Sequence, residues 1–281
     1  MKRKLFLTLL SVLSCIAVSA QQDAEYWFKR YQTQVRNLGP AGVGVETIID
    51  RWEEAAPEDP RVFHARFAFA LTKGQSSNIV CKEGRTRYLG KRPCLTLKDS
   101  LGRDVNYFEE VSYDDTFFAL ALKSIDKACQ LDPLELRYEF ERIAALFSYE
   151  KESPDLALAQ IRALLARETA SHPDWKLDGE PAPEGAVEQA MQEFCYSIYN
   201  IGSPQAYEHF YSLSTELSKC YRNNSSFVSN QGTYWLVAKD NPKKARSFYK
   251  KALKINPEDI AAKSNLELIQ SLQSRKDRPS K

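Results

Sequence analysis

A short pattern of a large apolar residue, an alanine and a proline occurs three times in this chain and constrains its fold more than any other feature. The copies are Trp52-x-x-Ala55-x4-Pro60, Ile125-x-x-Ala128-x4-Pro133 and Tyr249-x-x-Ala252-x4-Pro257. In each copy the first two residues lie three apart on one helix face, and the proline follows where that helix must stop. Recurrence of such a unit along a chain predicts a stack of helical repeats.

Extension of the pattern predicts five second helices, each with three apolar or small residues at spacings of four and three. The predicted sets are Ile48, Trp52 and Ala55; Ala121, Ile125 and Ala128; Ala157, Ile161 and Leu164; Ala206, Phe210 and Leu213; and Ala245, Tyr249 and Ala252. These spacings keep one helix face apolar, so we expect the residues to be buried. An amphipathic helix over 260–272 is predicted to cap the stack.

The chain resembles the tetratricopeptide repeat, in which two antiparallel helices carry a small–large–small pattern on the second helix, followed by proline. Asn230-Gln231-Gly232-x-x-Trp235 is similar to the Asn-Leu-Gly-x-x-Tyr of the family's first helix. Residues 137–169 form a second similar unit, with Phe140, Ile143, Ala144 and Phe147 in equivalent positions and Thr169 in place of the closing proline. The resemblance implies an all-α α-solenoid of about five antiparallel helix pairs plus the capping helix.

The resemblance also implies a non-catalytic scaffold that binds a protein or peptide partner in a concave groove lined by first helices. By family geometry, the lining positions in this sequence include Tyr138, Glu141, Tyr149, Thr233 and Leu236. Exposed aromatic residues often anchor interfaces, which favours the two tyrosines as contact residues. Packing against a neighbouring repeat is the alternative explanation for both.

The repeat period breaks at 74–113, which replaces the turn expected between a first helix near Arg61–Thr72 and a second helix near Asp115–Gln130. Four runs in this insertion are typical of short strands: Ile79-Val80, Arg87-Tyr88-Leu89, Leu95-Thr96-Leu97 and Val105-Asn106-Tyr107-Phe108. Asp99-Ser100-Leu101-Gly102 predicts the turn of a β-hairpin. A second interruption, at about 169–184, is rich in Pro, Gly and Asp and predicts a surface loop.

Two features of the insertion suggest function. Cys81 and Cys94 could close a hairpin as a disulfide, which an exported protein permits, or remain free. A basic cluster surrounds one aromatic residue and comprises Lys82, Arg85, Arg87, Tyr88, Lys91 and Arg92. The cluster predicts either contact with an acidic partner, a polysaccharide or lipid head groups, or a charged strand edge that prevents association between sheets.

The N-terminus is typical of a secretory signal, because the basic residues at positions 2–4 precede an apolar stretch over 5–18 and a small-residue site at 18–20. Cleavage is expected after Ala20, which gives a periplasmic or secreted protein; a lipoprotein attached at Cys15 is the alternative. The predicted segments are a signal peptide over 1–20, repeats over 21–73, the insertion over 74–113, repeats and cap over 114–274, and a polar tail over 275–281.

Charge and motifs argue against other classes of function. Removal of residues 1–20 would lower the formal net charge from +2 to −1, and a nucleic-acid-binding protein usually needs a concentrated basic face. The sequence contains no Gly-x-Ser-x-Gly, phosphate-binding glycine loop or His-Glu-x-x-His, and its three histidines are scattered. We therefore expect no catalytic residues, cofactor or metal. The oligomeric state and the partner's identity are not predicted, and a divergent enzyme is the weakest alternative.

Overall fold

The computed structural model describes residues 23–276; the expected signal peptide, Cys15 and tail residues 277–281 lie outside this range. The described helices are α1 (23–38), α2 (Val45–Ala55), α3 (Pro60–Gly74), α4 (Asp115–Leu131), α5 (Leu136–Glu150), α6 (Asp155–Ser171), α7 (Ala186–Ile201), α8 (Pro204–Cys220), α9 (Ser225–Val237), α10 (Pro242–Ile255) and α11 (Ile260–Lys276). The described strands are β1 (Gln75–Cys81), β2 (Leu95–Lys98), β3 (Asp104–Tyr113), β4 (Lys176–Leu177) and β5 (Glu180–Pro181).

The chain divides into two compact units. Among the described residues, the first unit holds 23–78, Glu110–Ala145 and Asp174–Ala182, and the second holds Ile79–Glu109, Leu146–Pro173 and 183–276. The first unit therefore contains α1–α4, the start of α5 and the β4–β5 hairpin. The second contains the end of α5, α6–α11 and most of the insertion.

The predicted fold class is confirmed, because five consecutive helix pairs and a capping helix account for most of the described chain. Ala121, Ile125 and Ala128 in α4 are all 0% exposed, and so are Ala245, Tyr249 and Ala252 in α10. The equivalent residues of α6 and α8 are also buried. Ala262 and Ile269 of α11 pack into the core beneath α10, so α11 covers the end of the apolar face as expected. That helix continues to Lys276, four residues beyond the predicted end.

The register predicted for the first copy of the repeat pattern is wrong by three residues. In the structure the fully buried residues of α2 are Val45, Ile49 and Trp52, whereas Ala55 is only half-buried. The turn after α2 contains Pro57 at the position of Pro133 and Pro257 in the other copies. Two prolines follow α2 three residues apart, and a helix face repeats at that same spacing, so the pattern alone fits both registers.

A common turn follows each of the three copies. Asp59, Glu135 and Asp259 end these turns, and each backbone N–H donates to the carbonyl three residues earlier, at 3.1, 3.3 and 3.1 Å. Each carboxylate then accepts a backbone N–H of the next helix. The acid at the end of each turn therefore caps the helix that follows.

The insertion forms a three-stranded sheet with the strand order β1-β3-β2. Antiparallel pairing of β2 with β3 joins Leu95 to Tyr107 and Lys98 to Asp104, and the predicted turn between them is present, with Gly102 at a φ of 76°. Three of the four predicted strand runs lie in β1, β2 and β3. The fourth, 87–89, is a loop with a single β-bridge between Tyr88 and Lys91.

The Cys81–Cys94 disulfide is not formed, and both thiols are free and exposed. The backbone N–H of Cys94 donates to the carbonyl of Tyr107 on β3, whereas Cys81 ends β1 on the opposite side of β3. Two residues separated by an intervening strand have Cα atoms roughly 9–10 Å apart. A disulfide requires Cα atoms within about 7 Å, so strand order prevents the bond.

The second interruption is also more ordered than expected. A two-residue turn at Asp178 and Gly179 connects β4 and β5 into a small hairpin, and Trp175 just before it is buried at 9% exposure.

In the described range, none of the helices combines the length and apolar character that crossing a bilayer would require.

Candidate functional site

The first unit contains a cavity of about 730 Å³ on the side formed by its first helices, meaning the leading helix of each helix pair. Three first helices, α1, α3 and α5, line it together with two interhelical turns and the β4–β5 hairpin. The lining residues are Phe28, Tyr31, Gln32, Asp59, Pro60, Arg61, His64, Asp132, Glu135, Arg137, Tyr138, Asp178 and Gly179. The volume lies within the range of ordinary ligand pockets.

Two of the turn acids form part of the cavity wall, and each is followed two residues later by an arginine. Asp59 accepts hydrogen bonds from the indole Nε1 of Trp52 at 3.1 Å and from Nε of Arg61 at 3.0 Å. Glu135, 5% exposed, accepts three backbone N–H groups, one of them from Arg137 at 3.0 Å. Both carboxylates therefore have structural partners before any ligand arrives.

The β4–β5 hairpin is held against α5 by charged groups. The backbone N–H groups of Asp178 and Gly179 donate to Glu135 at 3.0 and 2.8 Å. The guanidinium of Arg137 forms two hydrogen bonds with the Asp178 carboxylate, the Nε contact measuring 2.7 Å. Hydrogen bonds from Arg137 lower the pKa of Asp178. The segment expected to be a surface loop thus forms a fixed wall of the cavity.

Aromatic side chains supply the apolar part of the wall. The guanidinium of Arg61 lies 4.5 Å from the ring centre of Phe28, a cation–π contact. Tyr138 is 6% exposed, and its ring lies 5.1 Å from that of His64. Burial, followed by the nearby charge of Glu141, raises the pKa of Tyr31 to about 12, so its hydroxyl stays protonated at neutral pH.

His64 forms the most chemically suggestive contact in the cavity. Its Nε2 lies 2.7 Å from Oε2 of Glu141, and both side chains are about one-third exposed. A histidine–carboxylate pair catalyses nucleophilic reactions when a hydroxyl or thiol lies within hydrogen-bonding distance of the second ring nitrogen. Among the described residues His64 has no such hydrogen bond, and these residues contain no cluster of ligands that could hold a metal ion. The hydrogen bond with Glu141 therefore serves to orient the imidazole ring of His64.

Two of the sequence-predicted groove residues belong to this cavity. Tyr138 lines it as a buried wall rather than as an exposed anchor. Glu141 contributes through its hydrogen bond to His64, which lines the cavity. The repeat pattern did not identify Tyr31, Arg61 or Arg137. A usable signal was present, since an acid-x-arginine sequence follows two of the three repeat copies.

The other predicted groove residues belong to the second unit. Thr233 shares a hydrogen bond of 3.1 Å with the hydroxyl of Tyr249, and Leu236 packs against the core below α10 and α11. Both therefore have packing roles within their unit. Tyr149 is 38% exposed at the end of α5.

The basic cluster of the insertion is partly folded onto its own aromatic residue. Tyr88 is 2% exposed and packs edge-on against Phe108, with Nζ of Lys82 4.3 Å from the Tyr88 ring centre. Arg85 pairs with Glu152 at 3.0 Å. Tyr88 is thus a core residue of the insertion rather than the contact residue suggested by its sequence position. The remaining cations of the cluster are exposed: Arg87, Lys91 and Arg92.

Comparisons with known proteins find few that are similar to this chain in sequence or structure. No family model matches it, and no curated protein matches it. One similar solved structure is MamA 41-end from Desulfovibrio magneticus RS-1, at 12% sequence identity and a TM-score of 0.41, covering 85% of this chain and 97% of that chain. At this degree of likeness nothing follows about function, and the helical-repeat fold is evident from the order of the helices alone.

Proposed function

We propose that this protein is a non-catalytic helical-repeat adaptor that binds a segment of a partner protein in the cavity of the first unit. The observation that carries the proposal is the composition of the cavity wall. Three first helices and a hairpin enclose it, and hydrogen bonds among its own residues hold its charged side chains in place. A preformed site orders few groups on binding, which reduces the entropic cost of association.

The chemistry of the wall favours a segment that carries a lysine or arginine. Four carboxylates line the cavity, those of Asp59, Asp132, Glu135 and Asp178, against two guanidiniums, and the Lys176 ammonium lies 3.4 Å from Asp132. Acidic groups therefore outnumber cationic groups by one. The Tyr31 ring on the same wall provides a further face to which a cation is attracted, whereas the Phe28 ring is already in contact with the Arg61 guanidinium. Complementary charge gives such a complex specificity and a faster association rate more than raw affinity.

Gln32 offers a test that leaves the cavity's internal hydrogen bonds intact. It is an exposed residue of α1 that lines the cavity, whereas Thr33 is exposed on the same helix outside the lining. A photo-crosslinking amino acid at position 32 should capture a defined protein in cells, and the same group at position 33 should capture much less. Equal capture at both positions, or none at position 32, would contradict the proposal.

The charge preference is tested by two opposite substitutions at the same residue. Gln32→Lys should weaken binding of the captured partner several-fold, and Gln32→Glu should strengthen it, because like charges repel and opposite charges attract across the cavity mouth. Both effects should shrink in 0.5 M salt. If the two variants bind equally, the segment does not carry the proposed cation.

We also propose that the protein is exported, on the strength of its N-terminal sequence. Intact-mass measurement on protein from its native host should show a chain that begins at Gln21. A mass that corresponds to a lipid-modified Cys15 would establish the lipoprotein alternative, and a full-length chain would contradict both.

A further inference from the structure

The second unit contains a separate cavity of about 460 Å³. The insertion loop supplies one side, through Arg85, Arg87 and Gly90. The end of α7 and the start of α8 supply the other, through Tyr199, Asn200 and Tyr207. None of the lining residues is acidic. One side of the cavity thus comes from the insertion that breaks the repeat period, and its two guanidiniums can only donate hydrogen bonds, whereas the hydroxyl and carboxamide groups can donate or accept.

Arg87 is the free cation of this cavity. Its side chain makes no hydrogen bond or ion pair with another described residue, whereas Arg85 is paired with Glu152 at 3.0 Å. Burial raises the pKa of Tyr199, as does the neighbouring Tyr207, while the charge of Arg87 acts in the opposite direction. The guanidinium of Arg87 thus acts electrostatically on the phenol of Tyr199, another residue that lines the cavity.

The opposite wall is fixed by close packing. The rings of Tyr199 and Tyr207 lie 5.7 Å apart. Gly90 has a φ of 77°, and a Cβ at that position would lie 3.0 Å from Cβ of Asn200. Only glycine lets the loop approach Asn200 this closely while adopting a left-handed backbone. The loop is consequently held at a set distance from α7.

We propose that this cavity binds an oxyanion of the phosphate class, carried either by a small soluble ester or by a lipid head group. A guanidinium presents paired N–H donors that match phosphate oxygens, and two phenol hydroxyls and a carboxamide can donate beside it. The volume exceeds that of a phosphate ion, so the remainder of an ester has room. This site is independent of the cavity proposed to bind a protein segment.

Arg87 and Arg92 provide a matched pair for the test. Both are exposed arginines of the same loop, but Arg92 does not line the cavity. Calorimetric titration of the full chain with glycerol 3-phosphate should detect binding that Arg87→Gln weakens at least tenfold, or about 1.4 kcal/mol. Arg92→Gln should change it less than twofold. Vesicles of phosphatidylglycerol in phosphatidylcholine form the second arm, with pure phosphatidylcholine as the control.

Each outcome decides the proposal. Arg87-dependent binding of glycerol 3-phosphate supports a soluble ester, and Arg87-dependent binding of phosphatidylglycerol vesicles alone supports a head group. Absence of binding in both arms overturns the proposal. Equal weakening by both substitutions also overturns it, because it would indicate general attraction to a basic loop. Circular dichroism checks that the Arg87→Gln variant is folded. We expect it to fold, because the Arg87 side chain is exposed.

Discussion

Substitution of Gly232 by alanine tests the packing that joins α9 to α10. A Cβ at position 232 would lie 2.7, 2.9 and 3.0 Å from three ring atoms of Tyr249. That ring is 0% exposed, and its hydroxyl shares a hydrogen bond with Thr233 at 3.1 Å. The ring therefore cannot swing aside without losing the hydrogen bond and disturbing its neighbours.

The expected magnitude follows from three opposing contributions. Alanine in a helix interior is more stable than glycine by about 1 kcal/mol. Overpacking a tight core costs about 1–3 kcal/mol, and loss of the Thr233 hydrogen bond costs about 1 kcal/mol more. We expect Gly232→Ala to destabilise α9 and α10 by about 2 kcal/mol. In a protein that already carries Tyr249→Leu the ring is absent, so Gly232→Ala should instead stabilise α9 and α10 by up to about 1 kcal/mol.

Amide hydrogen exchange measured by mass spectrometry suits this test, because helical repeats open locally and a single global transition is not assured. Peptides from α9 and α10 should exchange about 30-fold faster in Gly232→Ala, as about 2 kcal/mol implies. The double-mutant cycle with Tyr249→Leu should show a coupling of about 3 kcal/mol. Slower exchange in the single variant, or a coupling below about 0.5 kcal/mol, would refute the reasoning.

Two further predictions concern charge and thiol chemistry. Because Arg137 lowers the pKa of Asp178 in the folded state, their pair stabilises the hairpin above the ordinary carboxyl pKa and loses that contribution as pH falls through the lowered value. Protection from hydrogen exchange at 174–182, measured relative to the intrinsic exchange rate at each pH, should therefore fall in acid, and Asp178→Asn should lower it already at pH 7; a variant that matches wild type at pH 7 would contradict this. Burial raises the pKa of the Cys195 thiol to about 12, so iodoacetamide at pH 8 should label exposed Cys81 and Cys94 but leave Cys195 unmodified. Rapid labelling of Cys195, or a disulfide between the other two, would contradict the described packing.

The repeat pattern predicted the second helices because their burial depends on local spacing. Tyr249 and its two alanine neighbours lie three and four residues apart, and a helix places such residues on one face whatever surrounds it. The same periodicity could not distinguish between two registers at Trp52, since shifting by three residues keeps the apolar face. Only the turn at Pro57 decides which residues are equivalent to those in the other copies.

The site was less predictable, because it depends on which segments meet. Tyr138 and Glu141 were expected in a groove from the family resemblance, but the hairpin at Asp178 and its pairing with Arg137 connect residues 41 apart in sequence. Such long-range ion pairs leave no periodic signal. The acid-x-arginine sequences did mark the two turns, although only the structure shows that they share a cavity with the hairpin.

The sequence by itself determined the helices, the capping helix and the position of the insertion, because periodicity, prolines and turn residues act over a few residues. Tertiary structure decided the strand order that separates Cys81 from Cys94, the approach of Gly90 to Asn200 and the enclosure of both cavities. Each of these features is a contact between segments that are distant in sequence. Their positions depend on the packing of the whole unit rather than on the conformational preference of a few neighbouring residues.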